Sequence, residues 1–156
     1  MNIIITGASS GIGFETALEF SLDSKNKIVC IARSADKLRK LLEIAKGINP
    51  DCTLLPVEFD LVNDDYAALV PFLKERLGTI DILINNAGSL INKPFLTTTE
   101  TDLREMLESN VMSHFKMIQN TLPLMLSGSH IVNIGSMGGF QGSVKFPGLA
   151  AYSASK

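Results

Sequence analysis

The chain carries a tyrosine four residues ahead of a lysine, Tyr152 and Lys156 in Tyr-Ser-Ala-Ser-Lys. On a helix, side chains at that spacing share a face. An unperturbed tyrosine ionises near a pKa of about 10, and a nearby ammonium favours the phenolate and lowers that value. Such a tyrosine can exchange a proton with an alcohol or carbonyl oxygen near neutral pH. Ser136 could hold the same oxygen. Taken alone, a Tyr-x3-Lys pair is more often solvated helix surface. Asn110 says more. It stands in the apolar stripe Leu103, Met106/Leu107, Val111, His114, Met117/Ile118, and a buried Asn must find partners. Either it bonds a nearby backbone carbonyl, or it binds a water that links Lys156 to solvent.

A second set of residues points to a phosphate-bearing ligand. Thr-Gly-Ala-Ser-Ser-Gly-Ile-Gly, residues 6–13, joins an apolar β-branched run to a helical pattern. Gly7 can take the φ of a tight turn, Gly11 lets backbone N–H groups approach a pyrophosphate, and Gly13 permits close packing of helix on strand. The helix N-terminus adds orphan donors and a partial positive charge. Gly7, Ser9, Ser10, Gly11, Ile12 and Gly13 are therefore candidate cofactor-binding residues. The spacing is Gly-x3-Gly-x-Gly, unlike the commoner Gly-x-Gly-x2-Gly, and a plain strand-to-helix turn is the alternative. At the end of the second strand an NAD site places an acid for the ribose 2′-OH. Here Ala32 and then Arg33 stand there. Arg can pair with a 2′-phosphate, which favours NADP(H) over NAD(H); a solvated Arg is the alternative.

The elements that must position these residues follow from patterning. Strands are predicted at Asn2–Thr6, Lys27–Ala32, Cys52–Phe59, Ile80–Asn86 and His130–Ser136, with Pro56 placing the third near an edge. The first helix turns Ile12, Thr16, Ala17 and Phe20 to one face. Ser34 caps the second, Gly47 closes it, and Leu38, Leu41, Leu42 and Ala45 face inward. The third runs from Asp64 to Leu77, started by Asn63 and bent at Pro71. A long helix spans about Thr99 to Met125, with Thr99 and Asp102 spaced as a capping box and Pro123 loosening its last turn. After a loop, a sixth helix begins. Unbroken alternation of strand and helix predicts an α/β fold: a doubly wound parallel sheet, order 3-2-1-4-5, with helices on both faces. Asp60, Asn86 and Ser136 then fall at C-terminal strand ends, the ligand side of such a sheet.

Composition narrows the function classes. At 156 residues one domain is expected. The net charge of −2 leaves no basic face for nucleic acid or an anionic membrane. No apolar run approaches the roughly 20 residues of a membrane span. Cys30 and Cys52, both in apolar runs, suit buried thiols in a reducing compartment, so a cytoplasmic location is expected and no metal site.

The motifs together resemble the short-chain dehydrogenase/reductase family. The likeness rests on TGASSGIG; on Asp60-Leu61, similar to the segment that meets adenine; on NNAG, residues 85–88; on SNVMSHF; on IVNIGS; and on YSASK. They occur in family order over the whole chain. The resemblance implies a Rossmann-type domain in which Leu61, Asn86, Ala87 and Gly88 join the cofactor site. It implies a tetrad of Asn110, Ser136, Tyr152 and Lys156. Tyr152 would be general acid in carbonyl reduction and base in alcohol oxidation, and Ser136 would orient the substrate oxygen. Lys156 would lower the Tyr pKa and bond the nicotinamide ribose, and Asn110 would hold a proton-relay water. The implied activity is NADP-dependent hydride transfer to or from a small carbonyl or alcohol substrate, a 3-oxoacyl thioester or a small or pterin-like ketone. A dinucleotide-binding sensor or scaffold without turnover is the alternative, and an epimerase or dehydratase is less favoured.

Two departures from the family pattern matter. The loop between Ser136 and Tyr152 is longer than in the simplest members, and its Phe140, Val144, Phe146 and Leu149 are expected to line an apolar pocket, unless the loop packs on itself. Family members also continue well beyond the Tyr/Lys helix. The 156 residues are accordingly expected to be part of a longer polypeptide, or to be completed by another chain, with a homo-oligomer expected of the completed protein.

Overall fold

The structure, a computed structural model, describes residues 1–156. Five strands form one parallel sheet in the order β3-β2-β1-β4-β5, as the alternating pattern predicts. They are β1 (Asn2–Thr6), β2 (Lys27–Ala32), β3 (Thr53–Glu58), β4 (Ile80–Asn85) and β5 (Met125–Asn133). Six α-helices connect and flank them: α1 (Gly11–Ser21), α2 (Ala35–Ile48), α3 (Tyr66–Leu77), α4 (Glu100–Leu107), α5 (Ser113–Thr121) and α6 (Ala150–Ser155).

The central strand explains the two-sided burial. Side chains alternate along a strand, so Ile3 and Ile5 enter one core with Ala17, Leu38, Leu41 and Ala45 from α1 and α2. Ile4, one residue off, enters the other with Leu69, Leu73 and Leu77 of α3 and Met117 of α5. A strand sandwiched this way reads as a continuous apolar run, which is what Ile3-Ile4-Ile5 is. Pro56 sits on β3, the edge strand, paired with Cys30, where its missing N–H leaves no ladder bond unmade.

Local differences from expectation have local causes. In α1 Ile12 is 61% exposed, because the face turned to the sheet is Gly13, Ala17 and Ser21. α2 runs through Gly47 to Ile48 and ends at an extended Asn49, whose carboxamide donates to the Ser21 and Leu22 carbonyls at 2.8 and 3.2 Å. α3 begins at Tyr66, capped by the Asp65 carboxylate on the Ala67 N–H. Asn63 and Asp64 belong instead to a turn closed on Asp60. β5 starts at Met125, not His130. A register shift between Ile80 and Ile82 splits it from β4, and the Ser129 hydroxyl takes the Ile80 carbonyl at the break, 2.8 Å away.

The long fourth helix is interrupted where it matters. Thr99 and Asp102 form the expected capping box, and Pro123 lies in a 3-10 turn, Leu122–Leu124. Between α4 and α5, however, Glu108–Met112 winds as a π turn, with the Ser113 N–H bonded to the Glu108 carbonyl five residues back. Met106, Asn110, His114 and Met117 of the expected stripe are buried, with Ser113 and Thr121 beside them, whereas Leu103, Leu107 and Val111 of that stripe are 38–42% exposed.

Candidate functional site

Thr6 closes β1 at the C-terminal edge of the sheet. Its hydroxyl accepts the N–H groups of Asn86 and Ala87, both at 3.0 Å, so β1 fixes the chain leaving β4. Asn86 returns the tie through Nδ2, which donates to the Thr6 and Gly7 carbonyls at 3.0 and 3.2 Å. Gly7 has φ +66°, and a Cβ there would lie 2.7 Å from the Ala87 Cα; no side chain fits. Gly13 packs as closely, since its Cβ would lie 2.7 Å from the Gly7 carbonyl oxygen. Gly11 has φ +59° with nothing within 4 Å of a Cβ, so its backbone faces open space. Each glycine in the turn thus meets a separate demand of conformation, approach or packing.

Beside this turn lies a crevice of about 450 Å³. Gly7, Ser9, Ser10 and Ile12 line it from the turn, Arg33 from the end of β2, Asp60 and Leu61 from the end of β3, and Asn86, Ala87 and Gly88 from the end of β4. Gly11, Gly13, Tyr152 and Lys156 are outside its wall. Lys37, Val62, Ser109 and Ser113 also line it; Ser109 and Ser113 lie within SNVMSHF, and Lys37 and Val62 lie in no motif. Lys37 stands in the first turn of α2, its N–H on the Ser34 hydroxyl, and no local signal turns it toward the crevice. Burial would raise the Asp60 carboxyl, but the Val62 N–H, the Asn63 side chain and N–H, and the charge of Arg33 outweigh it and hold the group below its usual value. The crevice therefore carries an ionised Asp beside a cation at its β2–β3 corner. Its backbone donors, its exposed Ile12 and its two cations fit an extended dinucleotide.

Gly88 connects the crevice to the residues singled out from sequence. A Cβ on it would lie 2.6 Å from Asn110 Oδ1 and 3.2 Å from Lys156 Nζ, so both side chains converge over its bare backbone. The helix grips this loop on either side of Gly88. His114 Nε2 lies 2.6 Å from the Ala87 carbonyl; a carbonyl only accepts, so Nε2 carries the hydrogen. Asn110 Oδ1 accepts the Ser89 N–H at 2.9 Å, and its Nδ2 donates to the Ser89 carbonyl at 3.0 Å and to Ser155 Oγ at 2.8 Å. Both amide protons of Asn110 are thereby taken by protein acceptors. Burial pushes His114 below its ordinary pKa; the Ala87 bond opposes this and the charge of Lys156 adds to it.

Ser136 and Tyr152 meet at a second glycine. A Cβ on Gly138 would lie 3.4 Å from Ser136 Oγ and 3.7 Å from Tyr152 Cε1. Ser136 Oγ accepts the Gly138 N–H at 3.1 Å, which leaves its own proton free for a ligand oxygen. Lys156 Nζ donates to the Ile134 carbonyl at 3.0 Å, and burial lowers its pKa. The four residues singled out from sequence, Asn110, Ser136, Tyr152 and Lys156, thus stand around two bare glycines, next to the crevice. Asn110 and Lys156 also line a smaller cavity of about 330 Å³ with His114 and Ile134. In the loop before α6, Phe140, Val144 and Phe146 are 65–77% exposed, so it does not bury them on itself. No helix is long and apolar enough to cross a membrane.

A family model for short chain dehydrogenases matches residues 1–156. The chain belongs to that family. This short-chain dehydrogenase is 34% identical over 158 aligned positions to a very-long-chain 3-oxoacyl-CoA reductase of Coccidioides immitis, covering 98% of this chain and 44% of that protein. It is similar in structure to a 7α-hydroxysteroid dehydrogenase solved with NADH and 7-oxo glycochenodeoxycholic acid: TM-score 0.86, 30% identity, 99% of this chain and 59% of that one. A short chain dehydrogenase of Shigella flexneri 2a, solved with NADP, gives TM-score 0.87 at 25% identity, over 99% of this chain and 65% of that one. The short-chain dehydrogenase described here spans 44–61% of the length of the curated relatives it matches.

Proposed function

We propose that this short-chain dehydrogenase is an NADP-dependent oxidoreductase that moves a hydride between nicotinamide and a carbonyl or alcohol substrate, with Tyr152 as general acid and base. The observation that carries this reading is the convergence of Asn110 and Lys156 over Gly88, and of Ser136 and Tyr152 at Gly138. The nicotinamide supplies the hydride when bound; the chain supplies placement and a proton. In reduction the Tyr152 hydroxyl gives its proton to the carbonyl oxygen, and in oxidation it takes the alcohol proton. Ser136 holds the same oxygen with the proton that Gly138 leaves free. Lys156 keeps an ammonium at the centre and bonds the nicotinamide ribose.

Arg33 and Lys37 in the crevice wall support NADP(H) as the preferred cofactor, since a guanidinium and an ammonium suit a 2′-phosphate. The exposed aromatic and aliphatic side chains of residues 137–149 support an apolar substrate body, as in a 3-oxoacyl thioester. Two buried free thiols, Cys30 and Cys52, suit a reducing cytoplasm. The exposed apolar faces of α4, α5 and β5 support a completed protein that self-associates. Loss of NADPH absorbance with a panel of ketones and 3-oxoacyl thioesters tests the activity. Saturable NADPH binding without turnover on any of them would replace it with the sensor or scaffold reading.

A further inference from the structure

α6 carries Tyr152 and leads straight into Lys156, two groups whose work depends on close placement. At its start, the Ser153 N–H bonds the Leu149 carbonyl at 2.7 Å. Three residues after Tyr152 stands Ser155, only 4% exposed.

A hydroxyl has one proton and two lone pairs, and Ser155 uses both kinds. Its oxygen accepts Asn110 Nδ2 at 2.8 Å, and its proton goes to the Tyr152 carbonyl at 2.8 Å. The other bonds of the Asn110 carboxamide clasp the backbone of Ser89, the residue after Gly88 in the cofactor wall. A continuous path of hydrogen bonds therefore runs from the loop after β4, through Asn110 and Ser155, to the backbone of Tyr152. It crosses three segments distant in sequence, and every step lies between 2.8 and 3.0 Å.

We infer that Ser155 is a positioning residue: it passes the placement of the Asn110 carboxamide to the Tyr152 backbone and so sets the Tyr/Lys face of α6 against the cofactor wall. Hydroxyl loss leaves one Asn110 N–H in a buried site without its acceptor and removes the tie between α6 and the Asn110 carboxamide. The inference rests on the proposed activity for its kinetic consequence, but not for its structural one.

The test uses the complete protein carrying Ser155→Ala. Amide hydrogen exchange should quicken by about tenfold or more across residues 150–156 and stay unchanged in β1 to β4. With an active substrate, kcat should fall about tenfold while the KM for NADPH moves less than threefold, because Tyr152 acts in the chemical step. In a cycle with Asn110→Ala, the loss from Ser155→Ala should shrink to less than twofold, since the two residues act through one bond. Unchanged exchange in α6, or full additivity in the cycle, would overturn the inference. If Ser155→Ala does not fold, Ser155→Cys, of similar size with a weaker donor, decides: intermediate exchange supports the role, and wild-type exchange refutes it. A wild type without turnover removes the proposed function, and the exchange measurement still judges Ser155.

Discussion

The two sides of the proposed reaction centre are built to different standards. On the cofactor side, Thr6, Asn86, Ala87 and Ser89 are locked by six hydrogen bonds to the β1 end and to Asn110, and Gly7 and Gly13 have no room for a methyl group. On the substrate side, the loop from Met137 to Leu149 is closed by Lys145, whose ammonium takes the Gly138 and Phe140 carbonyls at 2.7 and 2.8 Å, while its apolar side chains face outward. A cofactor common to many reactions asks for one rigid shape. A substrate asks for a surface that can differ between relatives, and loops vary with little effect on the sheet beneath.

The comparison breaks first at the chemistry. Tyr152→Phe removes the exchangeable proton and nothing else, so kcat should fall by roughly 10²–10⁴, with NADPH affinity unchanged within about twofold by fluorescence titration. Equal losses in kcat and binding would place Tyr152 in the cofactor wall instead. Next comes the locked side. Gly7→Ala combines a left-handed φ with backbone atoms at 2.7 and 2.9 Å. It should destabilise the fold by about 1–3 kcal/mol and lower NADPH affinity sharply, both readable in one thermal-shift titration. Gly11→Ala at φ +59° meets nothing within 4 Å. Its penalty should be the backbone strain alone, about 1–2 kcal/mol, and the contrast between the two separates packing from conformation.

The phosphate corner gives a smaller effect. Arg33→Ala should weaken NADPH by roughly tenfold, the worth of a charge-assisted hydrogen bond, and leave NADH within about twofold. Lys37→Ala should do the same more weakly, being the more flexible cation. An equal loss for both cofactors would show that these cations serve the shared pyrophosphate and not the 2′-phosphate.

Much of this arrangement was legible in the sequence because its signals are short-range. The glycine turn declares itself by residue type, the sheet order follows from strand–helix alternation, and Thr99 and Asp102 mark a helix start that the structure repeats. The tetrad is legible only as a set, since Asn110 and Ser136 lie far from Tyr152 in the chain. What escaped is what depends on through-space geometry. Nothing local announces that the helix through Asn110 winds as a π turn, and periodicity alone does not separate the buried Met106, His114 and Met117 of the expected stripe from its exposed Leu103, Leu107 and Val111. Thr6 ends a predicted strand and Ser155 lies inside YSASK with no role marked by spacing, yet their hydroxyls tie together segments 80 and 45 residues apart. A single hydroxyl has no periodicity to betray it.

His114 sharpens the comparison at its finest scale, because it belongs to the locked side and its protonation is coupled to the fold. Its folded-state pKa lies below the ordinary value, chiefly because burial disfavours the charged ring. The unfolded chain, with an imidazole pKa of about 6.5, therefore binds more protons than the folded one as pH drops through that region. Stability that His114 contributes is fully present above the unfolded value and is lost as pH falls toward the folded one. The carboxylates whose pKa values are lowered, Asp60 and Asp102, titrate further into acid and leave the window from about pH 7.5 to pH 5.5 to histidine. The urea midpoint should fall across that window in the parent protein. His114→Gln keeps an N–H for the Ala87 carbonyl but cannot take up a proton, so its midpoint should stay level. A parallel fall in both proteins would mean that the imidazole reaches water when charged, and that the grip on Ala87 is looser than a 2.6 Å contact implies.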